Sequence, residues 1–348
     1  MPWLRDRTIF LTRHGSWAYG TNIETSDEDF KGVAVPPKEY FLGFTQKFEQ
    51  AESNEPDLVI YEMRKFMALA RDCNPNIIEV LWTDPADHVL VTPLGEELLA
   101  HREMFLSKKA KFTFSGYAIA QLKRINTHHR WLLHPPEREP ARAMFELPPE
   151  TLIPADQLVA AQAEVSKQLD RWNEDFGDGL DESAKIHARE RVEQYLVEMK
   201  ISKDEKWQAA ARMVGLNENF ILQMQREKQY RNARQEWEQY QNWKVTRNVA
   251  RAALEAKHGF DTKHAAHLVR LLRMCREILE TGKVNVRRED REELLAIRNG
   301  AWTYERLVAW ATEQDAAMNG LYKTSTLRHA PDQKALDALC ISIAEKML

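Results

Sequence analysis

Gly15-Ser16-Trp17-Ala18-Tyr19-Gly20, followed by Ser26-Asp27-Glu28-Asp29, is the stretch on which the reading of this chain turns. It sets a glycine-flanked serine turn a few residues ahead of two carboxylates at i and i+2. Thr8-Ile9-Phe10-Leu11-Thr12 before it reads as a buried strand, and Asp29-Phe30-Lys31-Gly32-Val33-Ala34-Val35 after it as a second strand closed by Pro36-Pro37. Side chains alternate along a strand with a period of two, so Asp27 and Asp29 share a face and can share a hard divalent cation.

The residue types suit nucleotidyl transfer. That reaction is an in-line displacement at phosphorus, in which the protein must neutralise triphosphate charge and align the attacking oxygen. Asp27 and Asp29 would hold Mg²⁺, or Mn²⁺ in its place. Gly15 and Gly20 let backbone approach phosphates, Ser16 donates to them, and Ser26 supports the turn. Two metals need more oxygens than two aspartates supply. A third strand, Asp57-Leu58-Val59-Ile60-Tyr61, offers Asp57, with Glu62 as the competing candidate on the opposite face.

The pattern Gly-Ser, a later Gly, then Ser-Asp-x-Asp resembles the DNA-polymerase-β-like nucleotidyltransferases. Gly32-Val33, Tyr40-Phe41-Leu42-Gly43, Asn74-Pro75-Asn76-Ile77-Ile78-Glu79 and Lys263-His264-Ala265-Ala266-His267-Leu268 resemble its RNA-repair-associated subgroup, called RlaP or YcgL-like. The likeness covers about residues 8–135 and 240–312. It implies a metal-dependent enzyme acting on an NTP such as ATP, an RNA acceptor, and Asp57 as the third acid, since that acid commonly begins such a strand in the family.

A chain of 348 residues exceeds one usual core, and 43% hydrophobic with 29% charged residues supports packed domains. No run of about 18 apolar residues could span a bilayer, and the start lacks a secretory core, so a cytoplasmic protein without membrane contact is expected. Cys73, Cys275 and Cys340 lack metal-ligand spacing and read as free thiols. The formal net charge of -4 hides an asymmetry. Residues 107–131 carry six Lys/Arg and no acid, and residues 220–273 carry eleven Lys/Arg against five acids. Such stretches can attract a polyanion.

The fold class expected is α+β: a small mixed sheet with helices over residues 1–105, then a mainly helical portion. That portion divides into a basic helical connection over 106–136, an acidic helical insertion over 137–218 broken at Gly177-Asp178-Gly179, and a helical region over 219–348 that contacts nucleotide and acceptor. Met63, Phe66, Met67 and Ala70 mark one helix face, and Asn74-Pro75 reads as the cap and first residue of the next helix, with Glu79 either orienting a basic group near the site or, as the favoured reading, on the helix surface. Helices are also expected from Thr92-Pro93, over 117–133, 219–258, 289–297, 304–318 and 335–347. His128, His129 and His134 have no acidic partner nearby in sequence and read as packing or basic surface. Tyr230, Trp237, Tyr240 and Trp243 interleave with basic residues, either as core or as base-stacking contacts. Asp261-Thr262 caps a helix on which Lys263, His267 and Arg270 fall at i, i+4 and i+7, a basic stripe for triphosphate or acceptor phosphate. The function expected is transfer of a nucleoside monophosphate to an RNA 3′ end. The competing readings are a small-molecule or protein hydroxyl as acceptor, and a catalytically silent nucleotide-binding regulator.

Overall fold

β1 (Thr8–His14) forms where the apolar run predicts it, with Thr8, Ile9, Phe10, Thr12 and His14 buried. It pairs antiparallel with β2 (Asp29–Ala34), bringing His14 opposite Asp29. β2 pairs parallel with β4 (Asp57–Glu62), so the chain must cross over between them; it does so through a short helix, α2 (Lys38–Leu42), and β3 (Gln50–Asn54), which returns antiparallel to β4. β5 (His88–Val91) closes the other edge against β1, giving the order β3-β4-β2-β1-β5. The two edge strands had no sequence signal. Gln50-Ala51-Glu52-Ser53-Asn54 is too polar to read as a strand, and His88-Val89-Leu90-Val91 is only four residues long.

The structure, a computed structural model, describes residues 1–151, 153–174, 203–247 and 249–347. The Gly177-Asp178-Gly179 break lies outside the described residues.

Helices cover the sheet as the periodicity predicts. α1 (Gly15–Tyr19) follows β1 without a gap. α3 (Met63–Arg71) buries Met63, Phe66, Met67 and Ala70. α4 (Pro75–Leu81) begins with Pro75 and is capped by the Asn74 side chain, which accepts from Asn76 N–H. α5 (Pro93–Ala100) is capped by Thr92. α6 (Ala110–Leu133) starts seven residues earlier than expected.

The chain divides into a first unit, 1–135 with 248–348, and a second, 136–247. The second contains α7 (Ala155–Glu174), α8 (Lys203–Met213) and α9 (Glu218–Thr246), with Val165, Ala210, Ala211 and Ile221 at its core. The helix expected over 219–258 is therefore two helices. α9 stops where Arg247 turns extended, and α10 (Val249–His258) belongs to the first unit. The boundary expected at 218/219 falls instead near 247.

α11 (Thr262–Thr281) is the central helix of the first unit. Asp261 caps it, accepting from His264 N–H at 2.9 Å. It packs on α6, α12 (Arg291–Arg298) and α13 (Tyr304–Thr324), burying Leu268, Leu272, Ile278 and their neighbours in the same core as Phe10, Phe66 and Phe114. α14 (Gln333–Met347) docks on α3 and α5, which returns the C-terminal segment to the sheet. Among the described residues no helix is long and apolar enough to cross a membrane.

Leu272 is fully buried where these helices meet. Leu272→Ala is expected to lower stability by about 2–5 kcal/mol in urea denaturation, while truncating exposed Val245 should change it by less than about 0.5 kcal/mol.

Candidate active site

The turn from β1 into α1 leaves no room for a side chain. Gly15 has φ +62°, and a Cβ there would overlap the carboxylate of Asp29. Glycine is required for the left-handed backbone and for the close approach together. Gly20, at φ +71°, ends α1 with its N–H directed to Ser16 O and Trp17 O.

In the parallel pairing of β2 with β4, Asp29 stands opposite Asp57, and their carboxyl groups hydrogen-bond. Burial first, then the charge and hydrogen bond of Asp57, push the Asp29 carboxyl above its usual range, against the pull of Lys31 and Lys263. Lys31 lies two residues further along the same face of β2. Burial lowers its ammonium pKa, while Glu79, Asp29 and Asp57 act in the opposite direction. Two carboxyl groups set opposite each other across one strand spacing make a hard oxygen donor set that fits a divalent cation.

These groups line a cleft of about 390 Å³. One side is the sheet and α1, with Gly15, Ser16, Asp29, Lys31 and Asp57; the other is α11, with Lys263, Ala266, His267 and Arg270. The expected basic stripe runs from rim to floor. Lys263 is exposed, His267 is half-buried, and Arg270 is 3% exposed.

Glu79 is a correction. The favoured helix-surface reading fails and the alternative, orienting a basic group, holds: Glu79 is 1% exposed and holds Arg270 Nη1 at 2.5 Å. Tyr19 donates its hydroxyl to the other Glu79 oxygen at 2.5 Å, and His14 Nε2 lies 3.6 Å from that oxygen. The Arg270 guanidinium carbon sits 3.7 Å from the centre of the Tyr19 ring. Burial pushes the Glu79 carboxyl up, but Arg270 and the Tyr19 and Arg270 hydrogen bonds together hold it below its usual range. Burial and Lys31 bring the His14 pKa down to about 3, so His14 is neutral. The missed signal was available: α4 is apolar all round apart from Asn76 and Glu79, and such a helix is buried, so a carboxylate within it needs a cation.

The cleft thus gathers Gly15, Ser16, Asp29, Asp57, Lys263, His267 and Arg270. Asp27, Gly20 and Ser26 are not among its lining residues. Asp27 is exposed in the connection before β2, and Ser26 accepts from Ile23 N–H at 2.9 Å. Glu62 is 4% exposed and caps α3, accepting from Lys65 N–H and Arg64 Nε at 2.9 Å each. Sequence reading missed Lys31, Asn76, Leu294, Leu295 and Arg298 as lining residues. Alternation along β2 could have found Lys31, which shares the face of Asp29. The α12 residues arrive by tertiary packing and leave no local sign.

Elsewhere the basic stretches are partly internal. Lys108 is 7% exposed, Lys109 pairs with Asp72 at 2.7 Å, and Arg234 pairs with Glu238 at 3.0 Å. Tyr240 is buried. His128 does have acidic neighbours, contrary to expectation: Glu255 lies 3.8 Å away on α10, and Asp261 joins the same cluster. His129 stacks on Tyr304 with ring centres 3.8 Å apart. Cys73 and Cys275 are buried free thiols, and Cys340 is a half-buried one.

A mixed sheet carrying a Gly-Ser turn after its first strand, with paired aspartates on adjacent parallel strands, is the arrangement that the resemblance to DNA-polymerase-β-like nucleotidyltransferases implies. Residues 5–134 match the model of the RlaP family, described as the RNA repair pathway DNA polymerase beta family. The second resembling segment, 240–312, lies beyond the matched residues. An 89-residue stretch is 29% identical to an uncharacterized 38.9 kDa protein in the nrdC-mobD intergenic region of Enterobacteria phage T4, covering 23% of this chain and 26% of that protein. The chain thus spans about a quarter of that relative's length. No solved structure matches.

Gly15→Ala is expected to displace the Asp29 carboxylate and weaken Mn²⁺ binding, followed by electron paramagnetic resonance, by tenfold or more on the order of one lost charged ligand. Unchanged Mn²⁺ affinity in this variant would contradict the close approach.

Proposed function

We propose that the protein is a divalent-metal-dependent nucleotidyltransferase that moves a nucleoside monophosphate from an NTP to an acceptor hydroxyl at an RNA 3′ end. The observation that carries the reading is the opposition of Asp29 and Asp57 beside the Gly15-Ser16 turn, with the cations of α11 across the cleft.

In the reaction the acceptor oxygen attacks the α-phosphorus, the bond to the pyrophosphate oxygen breaks in line so that pyrophosphate leaves, and the hydroxyl proton passes to the Asp57 carboxylate. Asp29 and Asp57 would hold the metal, with Asp27 joining from two residues upstream. The chemistry such an ion would supply there is charge neutralisation on the phosphates and a lowered pKa for the attacking hydroxyl. Asp57 orients that hydroxyl from the strand edge. Ser16 and its neighbouring N–H groups donate to phosphate oxygens. Lys31, Lys263 and Arg270 set a positive field along the triphosphate path. Arg270 acts at fixed geometry, because Glu79 and Tyr19 already hold it.

RNA as acceptor is supported by the description of the matched family. The burial of Lys108 and the pairing of Lys109 shorten the basic track that RNA would follow, which favours, as a second reading, a small-molecule or protein hydroxyl. Incubation of the purified protein with each labelled NTP and with RNA, protein and metabolite fractions in turn distinguishes the two by which fraction is labelled.

Asp29→Asn and Asp57→Asn are each expected to reduce transfer by about 10²-fold or more, since they remove anionic ligands at nearly constant shape. Asp27→Asn is expected to do the same, and full activity in that variant would remove Asp27 from the metal site. Glu62→Gln should cost stability through the α3 cap while leaving transfer largely intact. If Glu62→Gln abolishes transfer and Asp57→Asn does not, the two residues exchange roles.

A further inference from the structure

Arginine carries five N–H donors and no acceptor. The contact of Arg270 Nη2 with His267 Nδ1 at 3.2 Å therefore has one polarity: the guanidinium donates and the ring nitrogen accepts with its lone pair. The ring proton must then reside on Nε2. A doubly protonated His267 would set N–H against N–H and lose the bond.

Arg270 cannot turn away to relieve this. Its Nη1 is fastened to Glu79 Oε1 at 2.5 Å and also meets Met274 Sδ at 3.1 Å, and its guanidinium lies over the Tyr19 ring. The other edge of the His267 ring is left for the cleft. Among the described residues no protein group bonds Nε2, and Nε2 is not a polar atom sealed from solvent. The ring lines the cleft with Asp29, Lys31 and Asp57.

We propose that Glu79 and Arg270 lock His267 in its neutral Nε2–H form, making it a fixed uncharged hydrogen-bond donor to a phosphate oxygen of the bound nucleotide. It is not a third cation of the α11 stripe. The charged and titratable groups that face it agree. Burial, then Arg270, His264, Lys263 and Lys31, bring its pKa down to about 3. A positive field draws an anion into the cleft, and Nε2–H is the polar group the ring offers it. The identity of the ligand rests on the nucleotidyltransferase reading; the locked tautomer rests on the Arg270 contact alone. Glu79 and Arg270 are positioning residues here, acting through His267.

The lock is read directly by nitrogen-15 NMR of histidine-labelled full-length protein, with the His267 signals assigned by their loss in His267→Gln. Expected are Nε2–H and unprotonated Nδ1 shifts that stay unchanged from pH 8 to about 5. Titration near the usual histidine pKa, or an Nδ1–H ring, overturns the proposal. Arg270→Ala would leave Glu79 buried and unpaired, so Arg270→Lys is the variant to use. It keeps a cation beside Glu79 but lacks the planar fork that reaches both partners. In it the His267 ring is expected to populate Nδ1–H or to titrate at higher pH, and an unchanged ring argues against the lock.

The donor role is read with magnesium tripolyphosphate, which carries the phosphates without a base or an acceptor. Its affinity, measured by calorimetry, should fall about tenfold in His267→Ala, the loss of one hydrogen bond to a charged oxygen, and should recover to within about threefold of wild type in His267→Gln, whose amide can donate. Weakening of an RNA oligonucleotide alone, with tripolyphosphate unaffected, would move the contact from the nucleotide to the acceptor and overturn the assignment. The NMR arm needs no ligand and no turnover, so failure of the lock and failure of the enzymatic reading are told apart.

Discussion

The cleft depends on one buried ion pair, Glu79 with Arg270. Both side chains are almost wholly withdrawn from water, and a lone charge in such a place is strongly disfavoured. What makes the pair tolerable is the number of groups that complete it: the Tyr19 hydroxyl on one carboxylate oxygen, Arg270 on the other, the Tyr19 ring under the guanidinium, and His267 on its second nitrogen. Removing a single partner of such a pair typically costs about 3–5 kcal/mol, whereas replacing both by apolar groups can be neutral. Its retention is therefore better explained by position than by stability. It ties the β1–α1 turn, α4 and α11 to one point, although these segments are far apart in sequence. A second tie joins α1 to α11: Arg288 backbone N–H donates to Tyr19 O at 3.0 Å while its side chain is held by Glu277 and Asp290.

The parts of this arrangement that were legible in the sequence are those encoded locally. Apolar runs gave β1, β2 and β4, cap residues gave the starts of α4, α5 and α11, and the Gly-Ser turn with Asp29 and Asp57 gave the centre of the cleft. Polarity hid β3, because an edge strand needs no apolar face, and shortness hid β5. Arg270 was placed correctly on the face of Lys263, yet seven residues carry a helix about two turns, far enough to move from solvent into the core. Leu294 and Leu295 reach the cleft only because α12 packs on α11, a relation with no local code.

Charge was the least reliable guide. The six cations of residues 107–131 suggested a surface track, but Lys108 packs over the Tyr322 ring and Lys109 is neutralised by an aspartate from outside the stretch. In the second unit Arg142 and Arg226 are likewise spent on Glu227 and Glu146, which hold the segment before α7 against α9. A run of basic residues reports composition, and partners distant in sequence decide how much of it reaches solvent.

The pairing of β2 with β4 carries one more consequence, for folding fidelity. Because side chains alternate, a slip of one residue between these strands would send Asp57 to the far face and bring Leu58 to the cleft, in a molecule that could otherwise remain compact. Such a molecule would lack the oxygen pair that a cation needs. A ligand that binds only the correct register stabilises it by mass action, so a divalent cation held between Asp29 and Asp57 would also act as an inspector of the strand alignment beneath it.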